Sequence, residues 1–544
     1  MKLFKKAILV LLTCLMTTAL ALGFVACGES SFGGDGEASS STQTTEKGTW
    51  IEVNQAVTDN LSESSEKDWF KFTVPSEGYV SIDFTHETVS STKNHWCIDF
   101  FTADATTGYS QDSGRIYWDV KGNENYKTEK MGIEAGTYYI EIQRSSSAWS
   151  NVNYTLKVNY VPAFDWETEN NNAYTKANEL QLNAEKKGTI IRSGDQDWYK
   201  FELPVNGYIT IDIKHEVVAS TKNLWRMKLL TADATTGYAI DYDGYIYWDA
   251  VGNEDRSTDE LGIKAGVYYI VMSGSSSWSN VQYSVKVNFT QATNWETELN
   301  ATYDKANEMS INTPIYGTLA YDDDKDWYKV EIPANGYVDI DFKHEVVSST
   351  KDHWCMDFFY SDAVTGYGKT SGRTYWDIEG NKDMSTYKMG VEAGTYYVRV
   401  VRASAAHERV PYNITVNFTE ATDWEKENNN TYGKANDLDV NSTIKGALIV
   451  DAGIDWYKVE VPTDGAVQVE FNHTMISSSK STWYVDFYQA DAVTKVKEWS
   501  VKGNANLMSS AITLTAGTYY IKVWPVGVNW SSAQYELTVH FTNN

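Results

Sequence analysis

One interval governs this sequence. Trp69, Trp198, Trp327 and Trp456 are spaced by 129 residues each time, and so are His86, His215, His344 and His473. Trp96, Trp225, Trp354 and Trp483 keep the same interval, as do Asp104, Asp233, Asp362 and Asp491. Around these markers the text recurs almost literally, as STKNHWCIDFFTADATTGY, STKNLWRMKLLTADATTGY and STKDHWCMDFFYSDAVTGY. Each copy also closes alike, on Ala135-Gly136-Thr137-Tyr138-Tyr139 and its counterparts from Ala265, Ala393 and Ala516. A period this long is a whole domain rather than one unit of a solenoid. Four domains are expected, over 49–163, 164–293, 294–421 and 422–544, each with its own core.

Within a copy the apolar period is two. Tyr199, Phe201 and Leu203 alternate with Trp198, Lys200 and Glu202, and 281–289 alternates likewise. Gly, Asn, Asp and Ser turns separate roughly eight such segments per copy, and no long amphipathic helix is evident. Many short strands with turn punctuation predict an all-β fold: four tandem antiparallel β-sandwiches of jelly-roll type.

The same alternation sorts the tryptophans. Trp96, Ile98 and Phe100 share a face, as do Trp225, Met227 and Leu229, Trp354, Met356 and Phe358, and Trp483, Val485 and Phe487. That face is apolar in every copy, so these rings are expected in the core. Ile116, Trp118 and Val120 share a face in the same way. Cys97 and Cys355 fall on the opposite face of their strand and are expected to be unpaired. Trp69, Trp198, Trp327 and Trp456 lie with Lys71, Lys200, Lys329 and Lys458, away from the apolar face. Trp149, Trp278 and Trp530 sit in Ser-rich loops, five residues before Tyr154, Tyr283 and Tyr535, and the third copy has His407 there. Such rings either cover hydrophobic edges between domains or form a stacking platform for a sugar or peptide. Trp149, Trp278 and Trp530 are the candidate ligand-binding residues.

The chain opens as an export signal: Lys2, Lys5 and Lys6, an apolar run from Ala7 to Leu22, then small residues before Cys27. Phe24-Val25-Ala26-Cys27 resembles a bacterial lipoprotein cleavage box, which implies removal of 1–26 and lipidation of Cys27. The stretch 27–48 is rich in Ser, Thr and Gly and is expected to be a flexible tether. The mature protein is then extracellular, held to a membrane only through its N-terminal lipid. The formal charge is −27, and because the first 26 residues contribute three lysines and no acid, the chain from Cys27 carries −30. So acidic a protein disfavours nucleic acid and anionic surfaces and suits cations. Beyond Cys14 and Cys27 only two cysteines remain, which excludes a disulfide scaffold.

Three further segments recur: Trp166-Glu167-Thr168-Glu169-Asn170-Asn171, Asp195-Gln196-Asp197-Trp198-Tyr199-Lys200-Phe201, and the late Ala-Gly-Thr-Tyr-Tyr with its closing strand. Together they resemble the bacterial pre-peptidase C-terminal domain family, which includes the collagen-binding modules of clostridial collagenases. Their order and spacing match across copies two to four. The resemblance implies a jelly-roll-like sandwich and a non-catalytic accessory role. In some members it also implies a calcium site and binding to an extracellular polymer. Such domains normally accompany a secreted peptidase, and the repeats leave no room for one here.

Little in the chain points to catalysis. His215-Glu216-Val217-Val218-Ala219 begins like a zinc-protease helix, but Ala219 stands where the second His is required, and Ser348 fails likewise after His344. No Gly-x-Ser-x-Gly elbow or phosphate loop occurs. Near-equal copies suit avidity or reach rather than one active site. The expected function is a non-catalytic surface protein whose modules bind an extracellular polysaccharide or protein polymer. A structural stalk without its own ligand is the alternative, and an undetected secreted hydrolase the third reading.

Calcium is the expected cofactor. Copies two to four each open with two carboxylates and an amide at alternate positions: Glu167, Glu169, Asn171; Glu296, Glu298, Asn300; Glu425, Glu427, Asn429. Alternate residues of an extended segment point the same way, so their oxygens can converge. A turn before the Trp-bearing strand adds Asp195 and Asp197, Asp323 and Asp326, and Asp451 and Asp455. Calcium takes six to eight oxygens, which these side chains with carbonyls and water can supply. Aligned from Trp69, copy one has Ile51 at Leu180 and Asn54 at Asn183 and lacks the acidic opening, so it should bind no such ion.

Overall fold

The computed structural model describes residues 47–543, apart from 112–113, 239–245, 322, 370, 404–409 and 451–452. Among these, each repeat forms ten strands in two sheets. The second repeat shows the plan. One sheet runs in the order 178–179, 196–203, 266–274, 223–230, 247–251. The other runs 185–188, 283–291, 207–215, 256–257, with 261–263 also pairing to 207–215. All pairings are antiparallel except that of the two-residue strand Asn178–Glu179, which lies parallel to Gln196–Leu203. The excess over eight strands consists of such short pieces, which are too short to show any alternation.

Strands form where the sequence alternates because each must bury one side. In Gln196–Leu203 the residues Asp197, Tyr199, Phe201 and Leu203 turn inward while their neighbours face out. The inner faces of the two sheets enclose one core per repeat, and Trp96, Trp225, Trp354 and Trp483 are each fully buried in it. Full burial of a ring this size makes it a dominant contributor to each core.

The outer-face tryptophans are half-buried or better. Trp69 stacks on Phe101 at 5.3 Å and Trp327 on Phe359 at 5.4 Å, with Arg399 over the Trp327 ring. They cover the back of the sheet and seed small satellite clusters there. Cys97 and Cys355 are buried and free. No helix of the described residues is long and apolar enough to cross a membrane.

Candidate metal centre

The site of the second repeat is assembled by two extended segments. Trp166 bridges to Lys187 in parallel, and the Glu167 amide donates to the Lys187 carbonyl at 2.8 Å. Pinning this segment against the short strand 185–188 aims Glu167, Glu169 and Asn171 inward. From the other side comes Asp197, which shares the inward face of its strand with Tyr199. Oxygens of Glu167, Glu169 and Asp197 lie within 4.8 Å of one another. Gly188 permits the approach, since a Cβ there would stand 2.6 Å from Glu167 Oε1.

A hydrogen-bonded frame fixes the carboxylates. The Thr189 amide donates to Glu167 Oε1 at 2.7 Å, and the Tyr199 hydroxyl lies 2.9 Å from Glu167 Oε2. Tyr199 meets the Tyr283 hydroxyl at 2.7 Å, and Tyr283 reaches Asp197 Oδ2 at 2.5 Å. Asn171 donates its amide nitrogen to Glu167 Oε2 at 3.0 Å. This leaves the Asn171 Oδ1 and Asp197 Oδ1 atoms buried without a partner. Unpartnered buried oxygens facing one point are costly unless something positive sits among them.

Electrostatics point the same way. Burial pushes the Glu167 carboxyl up to about 7 and Asp195 up to about 6. Burial first, and neighbouring carboxylates second, hold Glu169 and Asp197 well above the ordinary range. Two like charges 4.8 Å apart repel by about 3.5 kcal/mol at an effective dielectric of about 20. The acids therefore cannot all ionise at neutral pH without a counter-charge. The donors are all hard oxygens, with no His or Cys, a set that could hold a hard cation.

The arrangement recurs at Glu296, Glu298, Asp326 and at Glu425, Glu427, Asp455. Glu296 and Glu425 are again pushed up to about 7 by burial, and Asn300 Oδ1 and Asn429 Oδ1 again lack partners. Tyr328 with Tyr412, and Tyr457 with Tyr535, repeat the hydroxyl frame. The second-segment acids differ from expectation. Asp323 is exposed, whereas Asp324 is buried and takes the place of Asp195, accepting from the Ala320 amide as Asp195 does from Ile191. Asp451 lies outside the described residues, and Gly453 occupies the Asp195 position in the fourth repeat. Counting three residues back from each repeated Trp identifies Asp195, Asp324 and Gly453. Asp195 itself stands beside the triad, accepting from Ser110 Oγ at 3.3 Å.

Cys27 falls outside the described residues, as does His407. Trp149 packs against the first core and Trp530 is half-buried, while Trp278 is 41 % exposed. The repeated histidines are structural: His215 stacks on Trp225 at 4.2 Å, and its ring nitrogens lie 3.1 and 3.0 Å from the Glu216 and Glu254 carbonyl oxygens.

No family model matches the chain. The chain is 27 % identical over 246 residues to collagenase ColA of Clostridium perfringens, covering 43 % of this chain and 20 % of that protein. It is 23 % identical over 238 residues to collagenase ColT of Clostridium tetani, covering 42 % and 22 %. It thus spans about a fifth of the length of these relatives. A solved pre-peptidase C-terminal domain of collagenase from Bacillus anthracis is 24 % identical, with 93 % of that chain and 19 % of this one covered, at a TM-score of 0.16. Part of this all-β chain is thus similar in sequence to a part of two clostridial collagenases.

Proposed function

We propose that this chain is a non-catalytic extracellular protein whose repeated sandwiches bind a fibrous protein polymer, with calcium held structurally in the acidic clusters. The observation that carries the reading is an aromatic group repeated on the outer face of one sheet. Tyr174, Trp198 and Tyr269 meet at 6.1 to 6.3 Å, Tyr269 edge to face with both partners, and Tyr303, Trp327 and Tyr397 meet edge to face at 6.1 to 6.2 Å. Tyr432, Trp456 and Tyr520 form the third set. The leading tyrosines are 50 to 53 % exposed. Rigid amphipathic rings offer contact area at low entropy cost, and repetition along one chain adds avidity. Relatives named collagenases make collagen fibrils the first polymer to test.

The wild-type chain should sediment with fibrils. Changing Tyr174, Tyr303 and Tyr432 together to Ala should weaken that binding at least about tenfold, the loss expected when several interface anchors are truncated. A parallel variant with Trp149, Trp278 and Trp530 changed to Ala asks whether the loops contribute. Binding to polysaccharide but not to fibrils would change the ligand class. Binding to neither would leave the stalk reading, which the tilted ring contacts of Tyr79 with Trp166 and Tyr208 with Trp295 between successive repeats favour. At the N-terminus, Cys27→Ser should release the protein into the medium, and unchanged retention would refute the lipid anchor.

A further inference from the structure

We infer that each cation site is shared between two successive domains, so that cation uptake and domain docking are one equilibrium. The inference rests on the cation reading above and adds the partner surface. Every acidic cluster lies against the domain before it. The Thr189 hydroxyl donates to the Lys130 carbonyl at 2.8 Å, and Asn172 and Arg192 donate to the Ser110 carbonyl at 3.2 and 3.1 Å. At the next junction Thr318 donates to the Glu260 carbonyl, and at the last Asn430 donates to the Gly368 carbonyl.

Three residues of the preceding domain make this approach possible. Gly132, Gly262 and Gly390 pass so close that a Cβ would stand 1.9 to 2.1 Å from the carbonyl oxygens of Glu167, Glu296 and Glu425. Buried Tyr109, Tyr238 and Tyr367 donate to the carbonyls of those same glycines. Tyr79, Tyr208 and Tyr337 pack on Trp166, Trp295 and Trp424 at 4.5 to 4.7 Å between ring centres. A groove of about 500 Å³ crosses the second junction, lined by Tyr238 and Gly266 on one side and Glu298 and Lys305 on the other.

The following domain reciprocates through two adjacent apolar residues just past its short strands 185–188, 315–317 and 443–446. Ile190 enters its own core, and the next residue, Ile191, enters the core of the first domain. Leu319 and Ala320 divide in the same way, as do Leu448 and Ile449. The two end domains each lack one half. The first has Ser62 at the Ile191 position and no acidic opening. The fourth has Ala466, Val496 and Thr513 where its predecessors have the Tyr, Tyr and Gly of the docking face. Acids and docking face thus occur together only at the three internal junctions, where Asn171, Asn300 and Asn429, each hydrogen-bonded to the first Glu of its cluster, keep a buried Oδ1 without a partner. Closing a junction buries the acids, which favours a cation held among them. An open junction leaves them in water, where they hold a cation weakly.

The test uses the full chain with Gly132, Gly262 and Gly390 all changed to Thr, the residue that the fourth domain carries there. No oxygen donor is altered. Calcium titration should show affinity at least about tenfold weaker than wild type, within the usual range of coupling between sites. Small-angle scattering of the wild type should show the largest dimension shrinking when calcium replaces a chelator, and the variant should not respond. Unchanged affinity at three sites in the variant would overturn the inference. If that variant misfolds by circular dichroism, Tyr79→Ala, Tyr208→Ala and Tyr337→Ala, copying Ala466, should give the same loss. A wild type that binds no calcium at millimolar concentration would fail earlier, by refuting the cation reading itself.

Discussion

In the second domain the Tyr199 hydroxyl reaches Glu167, and at the same strand position of the first domain stands Phe70. Asp68 survives there and bonds to Tyr154 at 2.5 Å, as Asp197 bonds to Tyr283. The first domain thus keeps the half of the frame that serves its core and lacks the half that serves a cluster. One fold carries both versions, so the sandwich does not need the acids. They answer to a neighbour, and the first domain has no acidic opening to offer one.

The largest effect should not distinguish the two regions. Trp96→Ala and Trp225→Ala each empty a fully buried site and should each cost about 3–5 kcal/mol, read by denaturant unfolding. A much smaller loss in either would mean that the cores are not equivalent. Chelation should then separate them. A site that is saturated a hundredfold above its Kd stabilises by about 2.7 kcal/mol. Removing calcium should therefore speed amide exchange throughout domains two to four, and in the first domain only at the docking face around Tyr109 and Gly132. Equal loosening of all four would break the comparison.

A pH series on the chelated chain sharpens it further. In the unfolded chain Glu167, Glu296 and Glu425 ionise near 4.5, whereas burial holds them near 7 when folded. The folded state keeps its protons longer, so stability present at pH 4.5 is lost as pH rises through about 7. Calcium should flatten that decline. Asp68, raised to about 6 mainly by burial, should give the first domain only a weaker trend. Melting temperatures that rise over this range without calcium would contradict the sign. The smallest effect is Tyr199→Phe, which copies Phe70. Losing one hydroxyl should cost about 1 kcal/mol and weaken calcium binding modestly, by calorimetry.

Much of this was legible in the sequence. Alternation placed Trp225, Met227 and Leu229 inward, and the 129-residue interval gave the repeats. The opening Glu167, Glu169 and Asn171 were readable because extended chain has a period of two. Asp324, which the 129-residue interval from Asp195 does reach, was missed because the neighbouring Asp323 offers the same residue type one position away. The junctions were hidden for another reason. Ile191 follows Ile190, and an apolar residue facing a neighbour's core reads like one facing its own. The visible clue was substitution at the ends: Ser62 at one, and Ala466, Val496 and Thr513 at the other.

Equilibrium dialysis of the full chain against calcium measures the central claim directly. The expected result is three tightly held ions per chain, one for each acidic cluster, falling to two when Glu167 and Glu169 are both changed to Ala. Four ions, one for each domain, or none at millimolar calcium, would contradict it.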